Sequence, residues 1–371
     1  MILNHHGIMG LKQKVRIGDK LYKVVTIGNQ VWLAENLALK TTNSVDREGY
    51  PEFGLYYPYS DIEEIENSVD GWHVPTEAEL EELLISNTPD NTHKVQSTNY
   101  KSVWPSATNS TKFSAVPAAH SNDDTNLNRA LLWYHAGYLG LQVNSLVFTN
   151  STPALLFSVR LIKDTAPVTI GNKTYNTVKI GNQLWMMENL DYQFEGLNIG
   201  GETLQDDVHA WYFNNDPEQS EGLMYNGYAA SYLAEHPELL PKGWRVPTTT
   251  DFSTLQTTVG GAVNAGLYLK KALPDTAWST GVNSYRFYGK PSGIIRSTGV
   301  FDSRYNYLRL WTSTLGSETQ QIFFNLQDNT NNSTITSFAN NRATAIPIRL
   351  VKQVPTSSTT LSSLSTEPSE E

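Results

Sequence analysis

Three sets of side chains in this 371-residue chain have types and spacings that could do chemistry. Glu35-Asn36 and Glu188-Asn189 each set a carboxylate beside an amide, the donors a calcium ion takes, although calcium needs roughly six to eight oxygen ligands and no others can be assigned. The plainer reading is that these side chains point inward, bond backbone groups and staple a loop. His73, His120 and His135 are candidate acids or bases by residue type alone, while the pair His5-His6 reads as a solvated tail rather than a metal site. The third set is Tyr285, Tyr288, Arg304, Tyr305, Tyr307 and Trp311, in a region rich in Asn, Ser and Thr. Tyr among small polar residues gives contact area at a low ordering cost, which suits ligand binding.

The elements that must position these groups come in two copies. "DKLYKVVTIGNQVWLAENLAL" from Asp19 faces "NKTYNTVKIGNQLWMMENLDY" from Asn172, and "GWHVPTEAELEELL" from Gly71 faces "GWRVPTTTDFSTLQ" from Gly243. Trp104 then faces Trp278, "FSAVP" faces "FYGKP", Trp133 faces Trp311, and "SVRLIKD" faces "PIRLVKQ". Order is kept while spacers grow, as when one core carries variable loops. The reading is an N-terminal segment 1–14, a first repeat 15–165, a second repeat 166–354 and a disordered Ser/Thr-rich tail 355–371. The joint "DTAPVT" is too short for a flexible tether, so the repeats are expected to pack together.

Within a copy, the polar and apolar alternation around Gly28-Asn29 predicts a hairpin, with Trp32 and Trp185 as core anchors. Thr76 and Glu79 have capping-box spacing, Pro75 precedes them, and Leu80, Leu83 and Leu84 make one apolar stripe. Thr248, Asp251, Phe252 and Leu255 repeat the logic, so the Glu run after Thr76 reads as a solvated helix face. "ALLWYHAGYLGLQVNSLVF" and "YLRLWTSTLGSETQQIFFNL" predict antiparallel strands. The fold class is α+β.

Composition closes several routes. Net charge is −10 with Lys and Arg scattered, so nucleic acid is not an expected partner. No apolar run reaches the roughly 18 residues of a membrane helix. Cysteine is absent, which removes disulfides, thiolate metal sites, cysteine nucleophiles and a lipoprotein anchor. No signal-peptide pattern opens the sequence, so export by that route is not expected.

The ordered blocks "YKVVTIGNQVWLAENL", "GWHVPTEAEL", "FSAVP", the aromatic block around Trp133 and "FSVRLIKD" resemble the Fibrobacter succinogenes major paralogous domain, in both copies. That resemblance implies two tandem C-type lectin-like domains, related to formylglycine-generating and sulfatase-modifying-type domains, with termini meeting in a small sheet and loops presenting variable residues. It implies scaffold rather than chemistry. Members commonly carry Cys near the "GWH" block and after "SVR", where Asp70 and Leu161 stand here. The Glu-Pro-Asn and Trp-Asn-Asp motifs of calcium-dependent lectins are absent, and Trp311 is followed by Thr312-Ser313.

Chemistry inherited from a common unit should recur, yet His73 faces Arg245, and His120 and His135 face no His. The expectation is a non-enzymatic protein without cofactor, calcium having no motif behind it. Its predicted setting is a phage virion, which needs no export signal because lysis releases the particle. There it would decorate a capsid or tail or accompany a fibre, with virion or surface proteins and host glycans or receptors as partners, as an oligomer or alone. The alternatives are a bacterial cell-surface adhesin or glycan-binding protein and, further off, an active relative of the formylglycine-generating enzymes.

Overall fold

The computed structural model describes residues 14–85, 89–118, 128–142, 146–149, 154–199, 208–212, 216, 220–273, 276, 278–328, 330–336 and 341–354. His5, His6, His120 and the tail 355–371 lie outside the described residues.

The predicted hairpin forms in both copies. Lys20–Ile27 pairs with Gln30–Leu33 across a two-residue turn, and Thr177–Ile180 pairs with Gln183–Met186 likewise. Gly28 and Gly181 hold φ of 58° and 61°, the left-handed conformation such a turn requires and glycine adopts without penalty. The last strand of each repeat returns beside this hairpin. Ile162 pairs with Trp32 in the first copy and Val351 with Trp185 in the second. Each closing strand also pairs with the short strand that precedes the capped helix, Trp72–His73 or Trp244–Arg245. The Gly-Asn hairpin and the closing strand therefore share one sheet in each repeat.

Five α-helices occur among the described residues: α1 (Ile62–Ser68), α2 (Glu77–Ile85), α3 (Gly227–Glu235), α4 (Thr249–Thr258) and α5 (Ala262–Leu269). None is long and apolar enough to cross a membrane. The sheets are largely antiparallel, which makes the class α+β, mostly β. The copies differ in their later strands. In the first, Ala130–Tyr134, Gly137–Leu141 and Leu146–Thr149 extend a six-stranded sheet. In the second, Tyr307–Ser317, Gln320–Gln327 and Ser333–Thr336 make a separate three-stranded sheet.

The side chains shared by the copies hold this frame. Trp32 and Trp185 are fully buried, and each indole N–H donates to a glutamine two residues earlier, Gln30 Oε1 at 3.0 Å or Gln183 Oε1 at 3.2 Å. The same glutamines donate to the helix cap, to Glu79 O at 2.9 Å and Asp251 O at 3.2 Å. One residue type thus ties hairpin, core Trp and helix start together. Trp133 and Trp311 likewise donate to backbone carbonyls, of Tyr57 at 2.6 Å and of Tyr225 at 2.7 Å.

Asn36 and Asn189 are the staples. Asn36 Nδ2 donates to Phe53 O at 3.0 Å, while its Oδ1 accepts from the buried Arg160 Nε at 3.1 Å. Asn189 does the same with Glu221 O at 2.8 Å and Arg349 Nε at 3.2 Å. Each arginine also donates through Nη1 to a carbonyl, Phe113 O or Phe287 O, and lies 4.4 Å from the centroid of that same ring. Glu35 faces outward, accepting from Lys23 N and pairing with Lys20 Nζ at 3.4 Å, so a cation already answers that carboxylate.

Candidate functional site

With the shared residues accounted for by the frame, the copy-specific ones gather in two places, and the larger is the seam between the repeats. A cleft of about 1250 Å³ opens there, walled by Glu63, Glu66 and His135 of the first repeat and Lys271, Arg286 and Tyr288 of the second.

The second repeat reaches the seam through the loop 283–288. Asn283, Arg286 and Tyr288 all have positive φ, of 49°, 54° and 52°, and Asn283 Oδ1 fixes the loop by accepting from Tyr288 N at 2.7 Å. The first repeat builds the same loop, with Asn109, Lys112 and Ser114 at φ of 48°, 62° and 59° and Asn109 Oδ1 accepting from Ser114 N. A conformation rare for residues with a Cβ thus recurs as part of the fold. What differs is cargo: Lys112 is exposed, whereas Arg286 is buried against the other repeat.

Arg286 Nη1 donates to Asp164 Oδ1 at 3.0 Å, and its Nε lies 3.8 Å from Glu66 Oε1. Tyr288 donates to Glu66 Oε2 at 3.4 Å. Lys179 meets Glu82 at 2.7 Å and Lys271 meets Glu63 at 3.1 Å. Behind them His73, only 2% exposed, lies 2.6 Å from Asp164 and 3.0 Å from Glu79. Burial would raise the Glu66 and Glu79 pKa values, but His135 beside Glu66 and His73 beside Glu79 outweigh it and hold both carboxyls at about 2. Burial, with Glu66 adding to it, pushes the Tyr288 phenol up to about 12, so it remains a hydrogen-bond donor.

This corrects the reading of the Glu run as a solvated face. Glu79 caps α2, accepting from Thr76 N at 2.8 Å, and binds His73; Glu82 anchors Lys179 of the other repeat. It also corrects the contrast between His73 and Arg245. Arg245 Nη2 donates to the capping Asp251 at 2.7 Å, so the two residues do one job.

The six residues expected to bind ligand separate. Trp311 is fully buried with its N–H bonded to Tyr225 O, a core position no ligand reaches. Tyr285 is half-buried against the core around Trp185, and Tyr288 belongs to the seam. Arg304 and Tyr305 stay together, while Tyr307 pairs with Arg309 instead. The Arg304 guanidinium lies 5.3 Å from the Tyr305 ring, Arg309 lies 4.0 Å from the Tyr307 ring, and Tyr305 is 48% exposed.

Glu66, Glu82, Asp164, Lys179 and Arg286 were not legible as a site. For three of them the signal is a change of charge between aligned copies, as Lys179 faces Thr26, Glu82 faces Thr254 and Asp164 faces Gln353, and His135 likewise faces Ser313, whereas Arg286 faces the cation Lys112 and carries no such signal. Among the described residues no group of three or more His, Asp or Glu is arranged to hold a metal ion.

The family model described as the Fibrobacter succinogenes major domain matches the chain twice, over residues 25–163 and 178–352. No curated protein and no solved structure matches it.

Proposed function

The chain belongs to the Fibrobacter succinogenes major domain family, and from that premise we propose that it is a non-enzymatic binding and structural protein of a surface assembly. In its specific form the proposal sets it on a phage virion, decorating a capsid or tail or accompanying a fibre, where it contacts host-surface glycans or proteins. Each repeat is taken as a variant of the C-type lectin-like fold, a reading supported by the pairing of its closing strand with the early hairpin in one sheet.

The observation that carries the binding role is the pair of Arg–Tyr contacts, Arg304 with the exposed Tyr305 and Arg309 with Tyr307. Guanidinium groups laid over tyrosine rings hold both partners in place before a ligand arrives, which lowers the ordering cost of binding. The exposed Tyr305 ring offers an apolar surface with a polar edge, suited to stacking on a sugar. Support for a non-enzymatic role comes from His73: its carboxylate partners suggest acid/base chemistry, yet Arg245, which keeps its proton, does the same work in the second repeat.

A glycan array probed with and without calcium tests the proposal. Binding that is lost in Tyr305→Ala supports it, and a flat array under both conditions counts heavily against glycan contact. Neighbouring portal, capsid or tail genes are expected; neighbouring transport and polysaccharide-use genes would favour a cell-surface protein instead.

A further inference from the structure

No sheet and no hydrophobic core cluster of the described residues includes members of both repeats. Apolar burial, the dominant favourable term in most associations, is thus made within each repeat rather than across the seam. Charge crosses it instead. Lys179 meets Glu82, Lys271 meets Glu63, and Arg286 meets Asp164 and Glu66.

These pairs all run one way. The carboxylates belong to the first repeat and the cations to the second, so an acidic face lies against a basic one. Tyr288 follows the same direction, donating to Glu66 Oε2 at 3.4 Å. In the alignment of the copies Thr26 faces Lys179 and Thr254 faces Glu82, so this pair belongs to the seam and not to the folding unit. The covalent joint is brief. Asp164 N donates to Gly71 O of the first repeat at 3.0 Å and Thr165 Oγ1 to Thr177 O of the second at 2.6 Å, so the pivot falls between consecutive residues.

Most of the charges are within reach of dissolved ions. The Glu63 side chain is 71% exposed, and those of Glu82, Asp164, Lys179 and Lys271 are each about a third exposed. The screening length for such groups falls from about 30 Å at 0.01 M salt to about 3 Å at 1 M. Arg286 and Glu66 are the buried exception, and theirs is an imperfect pair. Nε lies 3.8 Å from Oε1, and both atoms are buried without a hydrogen-bond partner. Opening returns them to water, which offsets the loss of the pair.

We propose that the seam is an ionic hinge: the repeats lie closed on one another at low ionic strength and swing apart about Asp164-Thr165 as ionic strength rises, each keeping its own fold. Salt acts twice in that direction. It weakens the attraction across the seam, and it relieves the like-charge repulsion that each uncovered face carries. The hinge does not depend on what Arg304 and Tyr305 bind.

The chain has no cysteine, so a pair of dyes can be placed on it selectively. Val45→Cys and Val300→Cys, at two exposed positions, put a donor on the first repeat and an acceptor on the second. Single-molecule energy transfer at fixed pH then counts closed and open molecules in KCl from about 0.02 M to about 1 M, the range over which screening acts. The open-to-closed ratio is expected to rise by about tenfold or more while the far-ultraviolet circular dichroism stays unchanged. Lys179→Glu and Glu82→Lys each set like charges opposite one another and should open the seam at low salt by a similar factor; the two together should close it again. A ratio that ignores salt overturns the hinge. So does a change that tracks loss of circular dichroism, or a double variant as open as the singles. If the charge variants do not fold, the salt series on the labelled chain decides.

Discussion

His73 and Arg245 hold the same place in the two repeats. Each follows a buried Trp on a short strand and turns its cation onto the carboxylate that caps the next helix, Glu79 at 3.0 Å in one copy and Asp251 at 2.7 Å in the other. The ion pair is a property of the folding unit. Only the choice of a titratable cation is particular to the first copy, and there it is buried behind the seam, whereas the Arg245 side chain is partly exposed.

Removing an asparagine staple leaves a buried guanidinium short of an acceptor. Asn36→Leu should destabilise the first repeat by about 2–3 kcal/mol, the usual range for a lost hydrogen bond to a buried charge. Asn189→Leu should do the same to the second through Arg349. Denaturant unfolding monitored on each repeat's tryptophans checks this, and a loss under about 0.5 kcal/mol, the level of an ordinary surface substitution, would remove the staple from the account of stability.

Helix α4 begins with a reciprocal cap, in which Asp251 N donates to Thr248 Oγ1 at 3.2 Å and Thr248 N donates to Asp251 Oδ2 at 2.7 Å. Thr248→Ala should cost about 1 kcal/mol and Thr248→Ser close to nothing. Thermal midpoints of the two variants measured side by side are the check.

On the acid side the carboxylates govern. Glu79 and Glu66 titrate at about 2 in the folded chain, below their ordinary range. A depressed folded pKa gives stability that is present above the unfolded value of about 4.3 and is lost as pH falls toward the folded one. The thermal midpoint should therefore drop between about pH 4.5 and about pH 2.5. Glu79→Gln should start lower and fall less steeply, and a parallel fall in both proteins would refute the assignment.

At the outer face, Tyr305→Ala should lower affinity for any glycan found on the array by about tenfold or more, a loss of at least 1.4 kcal/mol. Its thermal midpoint should stay at the wild-type value, because an exposed ring contributes little to packing.

The repeated blocks made the frame legible. Hairpin, capped helix, core tryptophans and asparagine staples each obey local rules that one sequence displays twice. The seam was not legible for the opposite reason. Arg286, Asp164 and Glu66 are far apart in the chain and share no periodicity, and an isolated charge gives no sign of whether it meets water or another charge. Trp311 was misplaced because its polar neighbours suggested a surface, whereas the strand Tyr307–Ser317 is covered on both faces here: Leu308 and Leu310 pack into the core around Trp185, and Trp311, on the opposite face, packs into the core with Tyr225 and Phe323.

The pairing of Ile162 with Trp32 and of Val351 with Trp185 also sets a schedule on the ribosome. The hairpin that opens each repeat is made early, but its sheet stays incomplete until the end of that repeat has been synthesised, a long-range closure of the kind that slows folding. Asp164 follows the first closing strand at once, so the first repeat can complete itself before Lys179 and Arg286 exist to dock on it. Nascent chains stalled with residue 165 just outside the exit tunnel should resist protease, and chains stalled with only residue 155 outside should not.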